Sequence, residues 1–185
     1  VLLGKGLAEK LGVGPGDVVL EVGPGVGVLT VALSRAAAAV HAVELDRRLE
    51  GALADALSGC ANVTVHWGDA MRIDLGALLP APNKLVANLP YSIATPLLLR
   101  TIAELPSLNG WLVMVQREIA ERLRATPGGR EYGSPSVLVQ LACEVTLLRT
   151  VDPAVFTPRP RVESALLRLR RRGPGAPDAV RELVR

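Results

Sequence analysis

Short continuous apolar runs alternate along this 185-residue chain with stretches in which apolar side chains return every three or four positions. Val18-Val19-Leu20-Glu21-Val22 is one strand-length run, broken by a single acid, and others lie at 40–43, 63–67, 84–87 and 111–115. Between them the spacing predicts helices over 28–37, 47–57 and 96–103, with further helices over 3–11, 117–124 and 134–143. Strands that alternate with helices imply an α/β fold, a mostly parallel sheet covered on both faces. Segments 145–151 and 165–170 complete it as a terminal antiparallel pair, for seven strands in all.

Length adds a bound: 185 residues bury one good core, with room for a small appendage. Gly173-Pro174-Gly175-Ala176-Pro177 reads as a linker, so we expect one domain over 1–172, with 173–185 the linker and the start of a truncated helical domain. The absence of an initial Met and a final helix of barely two turns suggest a piece of a longer protein. Hydrophobic residues make up 49% and charged residues 21%, with no uninterrupted apolar stretch of membrane-spanning length. We therefore expect a cytoplasmic protein, and a monomer. Cys60 and Cys143 lack metal spacing and read as two reduced structural thiols. His41 and His66 read as isolated strand or surface histidines, and no metal site is expected. The net charge is only +3, but Arg149, Arg159, Arg161, Arg168, Arg170, Arg171 and Arg172 face only Asp152 and Glu163 in their window. A local basic surface suited to a phosphate backbone follows.

Candidate chemistry gathers at the strand ends. Glu21-Val22-Gly23-Pro24-Gly25-Val26-Gly27 occupies the turn from first strand to first helix, where the backbone must pass close to a ligand. Its glycines do not follow G-x-G-x-x-G: the third position is Val28 or Thr30 in the two registers. A nucleoside without a pyrophosphate fits better. Glu44 ends the second strand, where a carboxylate can accept both hydroxyls of a ribose; Asp46 competes but suits a helix N-terminus. Asp69, in Gly68-Asp69-Ala70 after the third strand, is placed to accept the amino group of an adenine ring, whereas Asp74 reads as a surface or cap residue.

Asn88-Leu89-Pro90-Tyr91 follows the fourth strand and joins an amide, a rigid turn and an aromatic face. An exocyclic base amine is a poor nucleophile while its lone pair is delocalised into the ring. Acceptors on its hydrogens, from the Asn88 side chain and a carbonyl near Leu89 and Pro90, push the nitrogen towards tetrahedral geometry and free that lone pair for attack on a methyl sulfonium. Pro90 fixes its own φ and biases Leu89 to extended geometry, and Tyr91 can stack on an extruded base.

In this order the segments resemble the ribosomal RNA adenine N6,N6-dimethyltransferases, Rossmann-like enzymes that use S-adenosylmethionine. The resemblance rests on residues 21–30, Glu44-Leu45-Asp46, Gly68-Asp69-Ala70, Asn88-Leu89-Pro90-Tyr91, Gln116-Arg117-Glu118-Ile119-Ala120-Glu121-Arg122 and 155–164. It implies that Gly23, Gly25, Glu44, Asp69, Ala70 and Asn88 line the cofactor site, and that Asn88, Leu89, Pro90 and Tyr91 carry the catalysis. It further implies that Tyr91 and Phe156 sandwich the target base and that Arg159 and Arg161 hold RNA. Asn-Leu-Pro-Tyr resembles the small-subunit, KsgA-type branch, whose substrate is ribosomal RNA within a small-subunit particle, more than the antibiotic-resistance branch that modifies large-subunit RNA. Two parts of the family pattern are missing, the Gln-Asn/His-Phe-Leu element ahead of the first helix and the C-terminal helical domain, and Pro135 stands where the family more often has an apolar non-proline residue. Other readings are a small-molecule or DNA amino-methyltransferase, against which the arginine cluster argues, a non-catalytic RNA-binding assembly factor, and, weakest, an NAD-dependent dehydrogenase.

Overall fold

The computed structural model describes residues 12–155 and 162–173. The helix expected over 3–11, the closing helix, and Phe156, Arg159 and Arg161 lie outside the described residues. Five parallel strands carry the sheet: β1 (Val18–Val22), β2 (Ala39–Glu44), β3 (Val63–Trp67), β4 (Lys84–Asn88) and β5 (Gly110–Gln116). β6 (Cys143–Val151) and β7 (Ser164–Arg171) extend it antiparallel, giving the order β3-β2-β1-β4-β5-β7-β6. Composition explains why the last strand inserts inward. β7 opens with four buried residues in succession, as a strand with neighbours on both sides requires, while β6 exposes Glu144, Arg149 and Thr150 and takes the edge.

Helices α1 (Val28–Ser34), α2 (Glu50–Leu57), α3 (Ala94–Glu104), α4 (Arg117–Arg124) and α5 (Ser134–Ala142) match the apolar spacing, α3 and α5 to within two residues at each end. The helix expected over 28–37 stops at Ser34. Ala36 and Ala37 both donate to the Leu33 carbonyl, and Ala38 already donates to Asp17, which turns the chain into β2. The stretch 47–57 divides into a 3-10 turn, Arg47–Leu49, followed by α2. Pro135, the residue that departs from the family pattern, sits in the first turn of α5, where a missing N–H costs nothing; Ser136 Oγ there accepts from Gly133 N–H at 3.1 Å.

Strand alternation divides the core. Val19, Val40, Val86, Leu112 and Leu166 pack with Leu33 of α1 on one face. Leu20, Leu85, Trp111 and Leu167 pack with Leu97, Leu98, Leu123 and Val139 of α3 to α5 on the other. Each fully buried leucine contributes about 1.5–3 kcal/mol relative to exposure.

Two expectations are corrected here. The histidines are not isolated: β2 and β3 are paired neighbours, and His41 Nδ1 lies 3.0 Å from His66 Nε2 while His41 Nε2 lies 2.9 Å from the Pro80 carbonyl oxygen. The run Arg170-Arg171-Arg172 is not one basic patch either, because alternation turns Arg171 to the opposite face. Its guanidinium donates to the carbonyls of Ile102, Leu105 and Leu108 and lies 5.1 Å from the centroid of the Trp111 ring. Arg171 therefore closes the C-terminal end of α3 rather than meeting a partner. Both cysteines are free, and burial pushes the Cys143 thiol up to about 11, so it stays protonated.

Candidate active site

β1 leads to β2 on one side of the sheet and β4 leads to β5 on the other, which opens a crevice at their carboxyl ends. The glycine turn and the Asn88 segment leave the sheet side by side at this point. A Cβ added to Gly23 would stand 3.8 Å from Pro90 Cδ, which measures how closely the two turns meet. Gly23, Gly25 and Gly27 have φ of 72°, 59° and 84°, a region that side-chain-bearing residues rarely adopt.

Their surroundings divide their roles. A Cβ on Gly27 would come within 3.0 Å of Leu53 Cδ1 and 3.3 Å of Ala56 Cβ, so Gly27 lets α1 begin against α2. Close packing thus does depend on a glycine, in neither of the registers counted in the sequence. A Cβ on Gly25 would meet nothing within 4 Å, and that residue faces open space.

Glu44 is 7% exposed at the end of β2. Its Oε2 accepts from Gly25 N–H at 3.1 Å and its Oε1 from Asp46 N–H at 2.8 Å. The carboxylate fixes the glycine turn and keeps lone pairs for a ligand. Asp46 is committed elsewhere: it accepts from Arg48 N–H at 3.0 Å and pairs with the Arg48 guanidinium, and the bonds to Arg48 hold its carboxyl down to about 2. Between the two acids, Leu45 is 69% exposed and offers an apolar surface for a flat ring.

After β3, Asp69 Oδ1 accepts from Met71 N–H at 2.8 Å, and Oδ2 lies 3.5 Å from Arg72 Nε. Ala70 is buried, and Arg100 of α3 pins this loop by donating to the Ala70 carbonyl at 2.7 Å and the Ile73 carbonyl at 2.9 Å. Asp74 caps a short 3-10 turn, as its sequence context suggested.

Asn88 is the last residue of β4 and is exposed, and its side-chain amide has no partner among the described residues. Leu89 is buried and donates its N–H to the Met114 carbonyl at 3.1 Å, which ties the segment to β5. Ile93 N–H takes the Pro90 carbonyl at 3.1 Å, so the carbonyl left beside Asn88 is that of Leu89. Half-buried Tyr91 places its hydroxyl 2.9 Å from Ser164 Oγ, at the start of β7. Beneath the glycine turn, Glu21 is 1% exposed, and burial pushes its carboxyl up to about 7; the Thr30 hydroxyl works against this and the Glu44 carboxylate adds to it.

The ribosomal RNA adenine dimethylase family model matches residues 3–183. The chain belongs to this family. It is 46% identical over 185 residues to the ribosomal RNA small subunit methyltransferase A of Rubrobacter xylanophilus, covering 99% of this chain and 68% of that protein. The protein of the same name from Mycobacterium leprae is 46% identical over 160 residues, covering 84% and 52%. Among solved structures, a dimethyladenosine transferase from Plasmodium falciparum superposes with a TM-score of 0.81 at 31% identity, covering 90% of this chain and 60% of that one. The 23S rRNA methyltransferase ErmE superposes at 0.79 with 32% identity, covering 97% and 71%. The chain spans roughly half to two thirds of the length of the curated relatives it matches. The Rossmann-like methyltransferase fold expected from the sequence is the fold of this chain.

The structure brings Gly23, Gly25, Glu44 and the Asn88–Tyr91 segment to one crevice, with Asp69 and Ala70 on the loop after β3. Leu45, Arg100 and Ser164 were not singled out in the sequence. A lone leucine between two acids was the one local signal; Arg100 and Ser164 act across 30 and 73 residues.

Proposed function

We propose that this protein transfers methyl groups from S-adenosylmethionine to N6 of adenosine in small-subunit ribosomal RNA. The observation that carries the reading is the Asn88 amide, without a partner among the described residues, beside the Leu89 carbonyl at the end of β4 and against the glycine turn. When bound, S-adenosylmethionine supplies an electrophilic methyl group on a sulfonium. The residues present suit it: an open glycine turn, an anchored Glu44 carboxylate for the ribose hydroxyls, Leu45 for the adenine face, and Asp69 and Ala70 for its edge.

Asn88 Oδ1 and the Leu89 carbonyl accept the two N6 hydrogens, hold the amine in line and bias its lone pair towards attack. After transfer, the cationic nitrogen gives up a proton to solvent; the methylamine keeps one N–H for one of the two acceptors, and a second molecule of cofactor would supply the methyl group that gives the dimethylated base. Tyr91 stacks on the extruded adenine, with Phe156 as the opposite wall and Arg159 and Arg161 on the phosphates; these three remain proposals from the sequence. A small-subunit particle is the proposed substrate, a monomer the proposed state, and the cytoplasm the proposed location; no helix among the described residues is long and apolar enough to cross a membrane. The domain limits 1–172 and 173–185 are proposed in the same sense.

Superposition on ErmE keeps a large-subunit reading in play. Identity of 46% to small-subunit relatives, against 32% to ErmE, favours the first reading. Incubating small- and large-subunit particles with protein and cofactor, then digesting the RNA for nucleoside mass analysis, tests it: N6,N6-dimethyladenosine is expected from the small subunit. Its formation only in large-subunit RNA, or in neither, would reverse the assignment.

A further inference from the structure

The loop after β3 is a turn shaped by its own backbone. Arg72 and Ile73 N–H both donate to the Asp69 carbonyl, at 2.8 and 2.9 Å, and Asp69 Oδ1 accepts from Met71 N–H at 2.8 Å. Gly68 N–H, bonded to the Glu44 carbonyl at 2.9 Å, fixes where the loop leaves β3. These bonds set the shape of the turn but not the place of its far side. Among the described residues, the hydrogen bonds that tie 69–73 to another element all come from one side chain, Arg100 of α3.

The Arg100 side chain is 16% exposed, and each of its nitrogens has a partner. Nη1 donates to the Ala70 carbonyl at 2.7 Å, Nη2 to the Ile73 carbonyl at 2.9 Å, and Nε to Glu104 Oε2 at 2.7 Å. The flat guanidinium thus spans two carbonyls three residues apart, the first directly after Asp69, while Glu104 orients its plane. A lysine ammonium, a point charge on a flexible stem, does not reproduce that fork. At its other end α3 grows out of the Asn88–Tyr91 segment: Ile93 N–H donates to the Pro90 carbonyl at 3.1 Å and Leu97 N–H to the Ile93 carbonyl at 2.9 Å. One side chain therefore joins the loop that carries Asp69 to the helix that continues from Asn88.

We propose that Arg100 is a positioning residue for the cofactor base: by clamping the Ala70 and Ile73 carbonyls it holds the Asp69 carboxylate in register with the adenine N6 amine, and so sets the preference of the site for a base that bears that amine. The inference rests on the cofactor reading above. Hydrogen bonds weaken steeply with distance and angle, so a small shift of the turn removes what the amine contributes. Contacts to the ribose and methionine parts come from Glu44 and the glycine turn, on other strands, and stay as they are. Loss of the clamp therefore falls on a ligand that carries the amine and spares one that lacks it. A role confined to fold stability would weaken both ligands in proportion.

Calorimetric titration with S-adenosylhomocysteine, and with its analogue in which unsubstituted purine replaces adenine, gives the affinity ratio that tests this. Wild type should prefer the adenosyl ligand by about ten- to a hundredfold, the worth of one hydrogen bond to a charged acceptor. Arg100→Lys and Arg100→Met should each cut that preference to about threefold or less while leaving the purine ligand within about twofold of its wild-type affinity. Glu104→Ala, a change at an exposed position, should lower the preference by about two- to threefold through the freed guanidinium. In an Asp69→Ala background, Arg100→Lys should not alter the ratio further, since the two residues act as one unit. A preference retained in both Arg100 variants, an equal loss for both ligands, or no preference in wild type each overturns the proposal. Should neither Arg100 variant fold, an unchanged ratio in Glu104→Ala overturns it. Wild type that binds neither ligand would instead defeat the cofactor reading itself.

Discussion

Tyr91 Oη and Ser164 Oγ lie 2.9 Å apart, joining the aromatic ring after β4 to the first residue of β7, on the far side of β5. The bond sets the ring orientation from a strand 73 residues away in sequence. Ser164→Ala should raise KM for RNA by the worth of one hydrogen bond, about 0.5–1.5 kcal/mol. Tyr91→Ala should cost about 1–3 kcal/mol by removing the stacking surface. Steady-state kinetics checks both, and cofactor affinity should stay unchanged.

Gly25 faces open space, so Gly25→Val meets no protein atom and should act on ligand entry and on the positive φ rather than on packing. Calorimetry should show cofactor binding abolished in a protein that still melts cooperatively. Asp69→Ala should weaken binding by about 1–3 kcal/mol through an unpaired adenine amine. Full affinity in both variants would remove this part of the site.

The three consecutive arginines of β7 and its end should separate by face. Arg171→Ala leaves the Ile102, Leu105 and Leu108 carbonyls without their donor and should lower stability by about 1–3 kcal/mol, read as a shift in denaturant midpoint. Arg170→Ala and Arg172→Ala should leave stability nearly unchanged and flatten the salt dependence of RNA binding by at most about 0.7–0.9 for each phosphate no longer neutralised.

That separation shows where sequence reading succeeds and where it stops. Five strands and the helices follow from apolar spacing, which is local, and the ends of β1, β2 and β4 bring Gly23, Glu44 and Asn88 to one rim. Gly27 packing on Leu53, the His41 and His66 pair, and Arg100 holding the Asp69 loop depend on which elements become neighbours. No window of a few residues contains that information. Arg171 is the instructive case: period-two alternation could have turned it inward, but only the position of α3 explains why its charge is satisfied there.

Glu21 should govern the pH dependence of stability. Its carboxyl keeps its proton to about pH 7 when folded, against an ordinary value of 4.5, so the folded state binds more protons between these limits. Stability then falls as pH rises through this window, by a total on the order of 3 kcal/mol, and the fall is complete above pH 7. Glu21→Gln carries no such charge. It should gain stability relative to wild type at pH 8 and lose that advantage towards pH 5, as paired urea titrations at the two pH values would show.

The most direct test of the account is single-turnover methyl transfer by Asn88→Ala, using radiolabelled cofactor and the RNA substrate that wild type modifies. The Asn88 acceptor matters most as positive charge develops on N6, so the defect should lie in the rate and hardly at all in cofactor binding. We expect a fall of roughly 10²–10³ in the rate constant. Near-wild-type turnover by Asn88→Ala would contradict the mechanism and leave the chemistry of this crevice to other residues.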